Sequence, residues 1–249
     1  MDILADLHTH TNFSLHAYGT VDENAKTAKQ NGMEYVAITD HYYQFSDRFM
    51  QINEFSRMSE LSKVKPENGA TIIAGGEFNI AHKLLSTIDT DRIYKNIKWR
   101  PVGLHSWFID LNLTPITVIP SLFANTIVSN EYVTPTTFAH IERGLRSTVG
   151  GKEDDGAISA LRHIVQIAIE KDIYLELNEE SFKNPDNVML LKWWVPYAVK
   201  NGAKFSLGTD AHSRENVGVF TNVKQFIEDI NIPADKILNY DRCKLQELV

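Results

Sequence analysis

The sequence predicts an α/β barrel of parallel strands, and two observations carry this prediction. Short apolar or β-branched runs alternate with helical stretches along the whole 249-residue chain. Side chains that commonly bind metals follow the ends of these runs repeatedly. In a barrel of parallel strands the C-terminal strand ends converge on one mouth, where catalytic residues collect. The chain is therefore expected to form a single domain, residues 1–249, with its site at that mouth.

Seven runs are predicted to be strands because each is short and rich in apolar or β-branched residues. A histidine, an acidic residue or an asparagine stands at or just beyond the end of each run. In chain order the runs are Ile3 to Leu7, Tyr35 to Thr39, Ala70 to Ala74, Pro101 to Leu104, Thr136 to Ala139, Ile173 to Leu177 and Phe205 to Thr209.

Three helices are predicted between these strands. Thr20 and Glu23 have the spacing of a capping box, and Gly32 is well placed to end the helix that follows. Pro196 lies inside the third helix and predicts either a kink or two short helices there. The predicted helices run from about Val21 to Asn31, from Gly156 to Lys171 and from Asp186 to Asn201.

Composition narrows the class of protein. Hydrophobic residues make up 43% of the chain, charged residues make up 23%, and the net charge is −7 without a run of Lys or Arg. These values fit a soluble domain and argue against a general nucleic-acid binder, which needs a basic patch. No apolar stretch approaches the roughly 20 residues of a membrane-spanning helix, and no signal peptide is recognised. A cytoplasmic protein is expected, and the sequence does not indicate its oligomeric state.

Nine side chains at or just beyond the strand ends are candidate metal ligands. His8 and His10 lie two apart on the first strand, so both can face one ion. Asp6 would share that face one step deeper, where a carboxylate can orient a ligand histidine. The nine candidates are His8, His10, His16, His41, Glu77, His105, His140, Asp210 and His212.

Imidazole and carboxylate ligands suit zinc, manganese and iron. Nine ligands are too many for one ion, so they predict two or three divalent metals, with Glu77 or Asp210 available as a bridge. The charge of such ions would exceed that of the two carboxylates and would favour a phosphate dianion. Closely spaced metals also promote phosphoryl transfer to water. Hydrolysis of a phosphoester is therefore the predicted chemistry.

These motifs resemble those of the PHP superfamily (polymerase and histidinol phosphatase). The first family motif reads as Asp6-Leu7-His8-Thr9-His10 does here, and His16-Ala17-Tyr18-Gly19-Thr20 resembles the stand-alone phosphatase branch with three metals. The resemblance implies a distorted seven-stranded (β/α)7 barrel, similar to a TIM barrel, with metals at the C-terminal mouth. It also implies three ligand groups: His8, His10, Glu77 and Asp210; His16, His41 and His212; and His105 and His140 sharing Glu77.

The chain departs from many relatives after His140, where Ile141-Glu142-Arg143 replaces a proline. Arg143 is therefore a candidate phosphate contact, since its guanidinium can bind a phosphate in bidentate fashion. Arg146 and Arg214 are further candidates, and each of the three arginines could instead be a solvated charge.

The predicted activity is that of a metal-dependent phosphatase acting on a small phosphomonoester. A hydroxide that bridges the metals would attack phosphorus, with Glu77 and Asp210 at the metals and Arg143 assisting. Histidinol phosphate is one candidate substrate, because the superfamily includes that activity. The alternatives are a nuclease or phosphodiesterase of the same superfamily, a non-enzymatic metal-binding regulatory domain and, more distantly, an amidohydrolase.

Overall fold

In the computed structural model, parallel strands alternate with helices. The structure describes residues 2–14, 16–42, 61, 64, 66–80, 97–105, 114–128, 135–149 and 155–249. Within these residues the strands are β1 (Ala5–Thr9), β2 (Tyr35–Ile38), β3 (His41–Tyr42), β4 (Thr71–Ala74), β5 (Glu77–Asn79), β6 (Arg100–Gly103), β7 (Thr136–Ala139), β8 (Tyr174–Asn178) and β9 (Lys204–Gly208). The α-helices are α1 (Val21–Gln30), α2 (Ile119–Val128), α3 (Ile141–Val149), α4 (Asp155–Glu170), α5 (Pro185–Lys200), α6 (Asn222–Ile230) and α7 (Arg242–Glu247).

All strand pairs are parallel, in the orders β1-β2-β4 and β3-β5-β6-β7-β8-β9. A bridge between Gly75 and Trp99 links the two groups of strands. The last strand lies beside the first, because the Asp210 amide donates to the His8 carbonyl at 2.8 Å. The predicted parallel α/β fold is confirmed, whereas a closed barrel of seven strands stays a prediction.

Two of the predicted strands are followed, after a short interruption, by a second strand segment close to the candidate ligands. The run from Tyr35 to Thr39 forms β2 and is followed by β3, and the run from Ala70 to Ala74 forms β4 and is followed by β5. The second segments begin at His41 and Glu77, which are directly paired across the sheet. The interruptions therefore set two predicted ligands side by side.

The three predicted helices are present as α1, α4 and α5. Thr20 and Glu23 form the capping box of α1, and Gly32 follows the helix with a φ of 83°. The helix α5 is continuous through Pro196, so the expectation of two short helices there is wrong. Pro196 lies on the exposed face of α5, while Trp194 and Val195 beside it are buried, and their packing stabilises the helix across the proline.

The strands form the centre of the molecule, and the helices cover them. The segments β1, β2, β6, β7 and β8 are buried along their whole length, as expected for parallel strands covered on both faces. The apolar face of α4 packs inward through Leu161, Ile164 and Val165. Among the helices of the described ranges, none has the length and apolar character needed to cross a membrane.

Asn239 holds β1 and β9 together. Its Nδ2 donates to the carbonyls of Ala5 at 2.8 Å and Leu207 at 2.9 Å, and its Oδ1 accepts from the Leu207 amide at 2.7 Å. We expect Asn239→Leu to lower the free energy of unfolding by about 2–4 kcal/mol, because it leaves buried backbone groups without partners. Urea unfolding measures this, with Asn216→Leu at an exposed asparagine as the control; equal stability of the two variants would contradict it.

Candidate metal centre

The structure brings the nine predicted ligands to one mouth. Six are buried, His105 and His212 are partly exposed, and His16 is exposed. Ligand atoms lie within 4.8 Å of one another in four overlapping groups: His8, His10 and Asp210; His10, His41 and His212; His8, Glu77 and His140; and His41, Glu77 and His105. Eight of the nine predicted ligands therefore share one continuous cluster of nitrogen and oxygen atoms.

Glu77 lies at the centre of this cluster. Its Oε1 is 2.9 Å from His140 Nε2 and 3.3 Å from His105 Nε2. Its Oε2 is 2.9 Å from His41 Nδ1 and 3.5 Å from His8 Nε2. Burial opposes ionisation, yet the surrounding histidines, led by His41 and His105, lower the pKa of Glu77 well below 4.5. A fully buried carboxylate thus stays charged because imidazoles surround it.

Asp210 forms a second acidic centre beside Glu77. Its Oδ1 lies 3.1 Å from His10 Nε2 and 3.6 Å from His8 Nε2, and its Oδ2 pairs with the Arg143 guanidinium. The backbone carbonyl of Asp210 is 2.8 Å from His212 Nδ1. Burial opposes ionisation here too, but His8 and Arg143 lower the pKa of Asp210 well below 3.8. One carboxylate therefore faces both the histidines and an arginine.

His16 lies at the outer edge of the cluster. Its ring centroid is 4.6 Å from that of His212 and 5.1 Å from that of His41. By distance between ligand atoms, however, His41 and His212 group with His10. The sharing of ligands among three ions that the family resemblance implies stays a prediction.

Glu176, which none of the sequence motifs indicates, fixes two of the predicted ligands. Its Oε1 is 2.6 Å from His8 Nδ1, and its Oε2 accepts from the His140 amide and from Asn178 Nδ2, each at 3.0 Å. Burial lowers the pKa of His8, but Glu176 and Asp210 raise it well above 6.5 overall. A carboxylate on Nδ1 leaves Nε2 facing the cluster, which is the common arrangement behind a metal-binding histidine.

The role predicted for Asp6 is wrong. Its carboxylate accepts from the Thr209 amide at 3.0 Å, the Thr209 hydroxyl at 2.6 Å and the Gly218 amide at 2.8 Å, together with the backbone amide of His8. Asp6 therefore joins β1 to the segment after β9 instead of orienting an imidazole. Burial raises its pKa to about 6 despite these bonds.

Ser14 and Asp40 orient His10. The Ser14 hydroxyl donates to Asp40 Oδ1 at 2.6 Å and lies 3.1 Å from His10 Nδ1. Because its only hydrogen goes to Asp40, the hydroxyl can only accept from the Nδ1–H of His10. The Nε2 lone pair of His10 is then directed at the cluster. The same hydroxyl accepts from the His41 amide at 3.1 Å, so one side chain positions two ligands.

Two glycines leave room for the ligand rings. A Cβ at Gly103 would lie 2.7 Å from His140 Cε1 and 2.9 Å from His105 Cε1. A Cβ at Gly208 would lie 2.3 Å from His8 Cβ. Larger residues at either position would displace the histidines, because real Cβ contacts are not this short.

The donor set fits divalent metal ions. Burial, with some help from neighbouring histidines, lowers the pKa of both His10 and His105 to about 3, so their rings are neutral and carry a free lone pair. Imidazole nitrogens and carboxylate oxygens are the ligands that zinc, manganese and iron accept. No cysteine lies among the nine residues.

The three arginines that are candidate phosphate contacts lie in different surroundings. Arg143 reaches Asp210, as described above. Arg214 pairs with Glu23 at 2.6 Å and Glu215 at 3.1 Å and is about half exposed, which matches the alternative of a solvated charge. Arg146, one turn of α3 beyond Arg143, is partly exposed.

A known protein family and several bacterial proteins resemble this chain in sequence. The family model described as PHP domain matches residues 6–180 of the chain. A probable phosphatase of Proteus mirabilis is 28% identical over 238 residues, which cover 94% of this chain and 89% of the relative. A probable phosphatase of Clostridium novyi is 27% identical over 250 residues, covering 98% and 93% of the two chains.

Solved structures share the fold. The histidinol phosphate phosphatase of Lactococcus lactis, crystallised with zinc, L-histidinol and phosphate, superposes with a TM-score of 0.64 at 17% identity, covering 93% of this chain and 95% of that one. A putative histidinol phosphatase of Listeria monocytogenes gives a TM-score of 0.63 at 16% identity, covering 88% and 99%. At these identities the comparison establishes the fold alone.

Glu176→Gln should lower the affinity for zinc or manganese about 10- to 100-fold, because an amide orients His8 less firmly than a carboxylate does. Competition with a chelating dye measures the affinity. Glu180→Gln is the control, since the Glu180 side chain pairs with Lys183 at the surface. Unchanged affinity in Glu176→Gln would show that Glu176 does not support the metal ligands.

Proposed function

The chain belongs to the PHP domain family, as its motifs predict, and on that premise we propose that it is a metal-dependent phosphatase acting on a small phosphomonoester. The observation that carries this proposal is the cluster around Glu77 and Asp210, where imidazole nitrogens and two ionised carboxylates face one another. The phosphatase descriptions of the bacterial relatives support the same reaction class.

Two or three divalent ions would be held by the nine ligands, with Glu77 placed to bridge them. When bound, such ions neutralise charge on phosphoryl oxygens and lower the pKa of water. Glu77 is suited to a bridge because its two oxygens contact different histidines: His140 and His105 on one side, His41 on the other.

The chain itself supplies orientation and charge. Arg143 reaches into the mouth from α3 and can donate to phosphoryl oxygens, since its guanidinium is always charged and presents several donors. Asp210 faces the histidines with one oxygen and Arg143 with the other, so it can orient a water molecule for attack on phosphorus. Together they would fix the phosphate and the nucleophile relative to each other.

The test is phosphate release from a panel of phosphomonoesters, including histidinol phosphate, and one phosphodiester. The protein is stripped of metal and reloaded separately with manganese, zinc and iron. Turnover of monoesters that returns with metal supports the proposal. Preference for the diester would favour the nuclease alternative, and inactivity with every metal would favour a binding or regulatory role.

Glu77→Gln should reduce kcat about 100-fold or more, because the variant loses the charge that holds two ligand groups together. Metal content and phosphate release measure the effect in parallel. Glu67→Gln, at an exposed glutamate, is the matched control. Near-normal turnover with full metal content would show that Glu77 is not a bridge.

Arg143→Ala should raise KM about tenfold with a smaller change in kcat, because the arginine binds phosphate in the ground state. Arg242→Ala, at an exposed arginine that pairs with Glu34, is the control and should match the wild type. Steady-state kinetics on the best monoester measure both variants. Identical kinetics for Arg143→Ala and the wild type would show that Arg143 does not bind phosphate and has a structural role beside Asp210.

A further inference from the structure

Asn79, at the end of β5, is a buried amide that the proposed chemistry does not use. Its exposure is 5%, and neither Oδ1 nor Nδ2 has a hydrogen-bond partner within the portion of the chain described above. Buried amides are almost always paired, so an unpaired one needs a specific explanation. A ligand that enters the mouth would provide the missing partner.

The alternation of side chains along β5 directs Asn79 into the mouth. Phe78 packs in the hydrophobic core, so its neighbours Glu77 and Asn79 share the opposite face. Asn79 pairs in register with Gly103, and the missing side chain of Gly103 would point at the rings of His105 and His140, so this face of the sheet is the one that lines the mouth. Two residues along a strand span about 6.6 Å, so Asn79 lies that far outward from Glu77.

Other buried asparagines of this protein look different. Asn239 uses both ends of its amide on backbone groups of β1 and β9. Asn178 donates to Glu176 and accepts from the Glu180 amide, so it caps the helical turn that follows β8. Asn24 and Asn187 are also buried, and each leaves only its amide oxygen unpaired, whereas Asn79 leaves both ends of its amide unpaired within the described residues.

We propose that Asn79 binds a hydroxyl group on the alcohol part of the substrate, so that the site selects phosphates of polyols over those of simple alkyl alcohols. This inference rests on the proposed function, which puts the phosphoryl group against the ligands around Glu77. A hydroxyl on the carbon next to the ester carbon points outward from there, and a hydrogen bond of about 3 Å covers the remaining distance. An amide suits a hydroxyl because both groups donate and accept.

The first experiment compares two substrates that differ only in hydroxyl groups, glycerol 3-phosphate and propyl phosphate. Manganese-loaded wild type should prefer glycerol 3-phosphate at least tenfold in kcat/KM, because a site built to hydrogen-bond a hydroxyl discriminates against its absence. In Asn79→Leu and Asn79→Ala the ratio should fall towards one, through loss of kcat/KM for glycerol 3-phosphate. Asn216→Leu, at an exposed asparagine, should keep the wild-type ratio.

The second experiment measures melting temperature without substrate. Asn79→Leu should raise it, because an unpaired buried amide is replaced by an apolar group of similar shape. Asn239→Leu should lower it. A lower melting temperature for Asn79→Leu would show that Asn79 is bonded within the folded protein and would overturn the inference.

The outcomes separate this inference from the proposed function. Equal turnover of both substrates by the wild type, or an unchanged ratio in the Asn79 variants, overturns the role of Asn79 and leaves the phosphatase proposal standing. Hydrolysis of 4-nitrophenyl phosphate without hydrolysis of the other two substrates also overturns the role of Asn79 and leaves the phosphatase proposal standing. If the protein hydrolyses none of the three monoesters with any metal, both the role of Asn79 and the phosphatase proposal are overturned.

Discussion

The structure of the site depends on one constraint: two carboxylates are buried together and must remain charged. An isolated buried carboxylate would take up a proton, because charge is costly away from water. Glu77 stays ionised because histidines approach both of its oxygens. Asp210 stays ionised because His8, His10 and Arg143 lie beside it. Divalent ions would offset the charge of the same two carboxylates, so these atoms would serve both the stability of the fold and metal binding.

A second layer of polar residues holds the ligands in these orientations. The Glu176 carboxylate contacts His8 Nδ1 and accepts from the His140 amide. The Ser14 hydroxyl contacts His10 Nδ1 and accepts from the His41 amide. His140 has a φ of 34° and Asp210 a φ of 56°, a left-handed conformation that is uncommon outside glycine. Such conformations persist at functional sites because the surrounding contacts over-determine them.

The sequence was sufficient to identify side chains that meet at one mouth, since parallel strands bring their C-terminal ends together whatever the intervening chain does. It was not sufficient for the supporting residues. Glu176 lies inside an otherwise apolar strand, and an acid there signals a buried partner, but nothing in the sequence names His8 as that partner. Asp6 was assigned to an imidazole because of its two-residue spacing from His8, yet β1 pairs irregularly between Asp6 and Thr9. The contact between Glu176 and His8 joins residues that are 168 positions apart, so only the tertiary structure reveals it.

The contact between the first and last strands has a consequence for the order of folding. Thr209 bonds to Asp6 across 203 residues of chain, and Asp210 and His212 come from that last segment. Loop-closure entropy disfavours early contacts over such separations, and folds rich in them form slowly. A chain emerging from the ribosome therefore presents His8 and His10 long before Asp210, one of their acidic partners, exists. The mouth is complete only after residues 209–212 have been synthesised and have paired with β1.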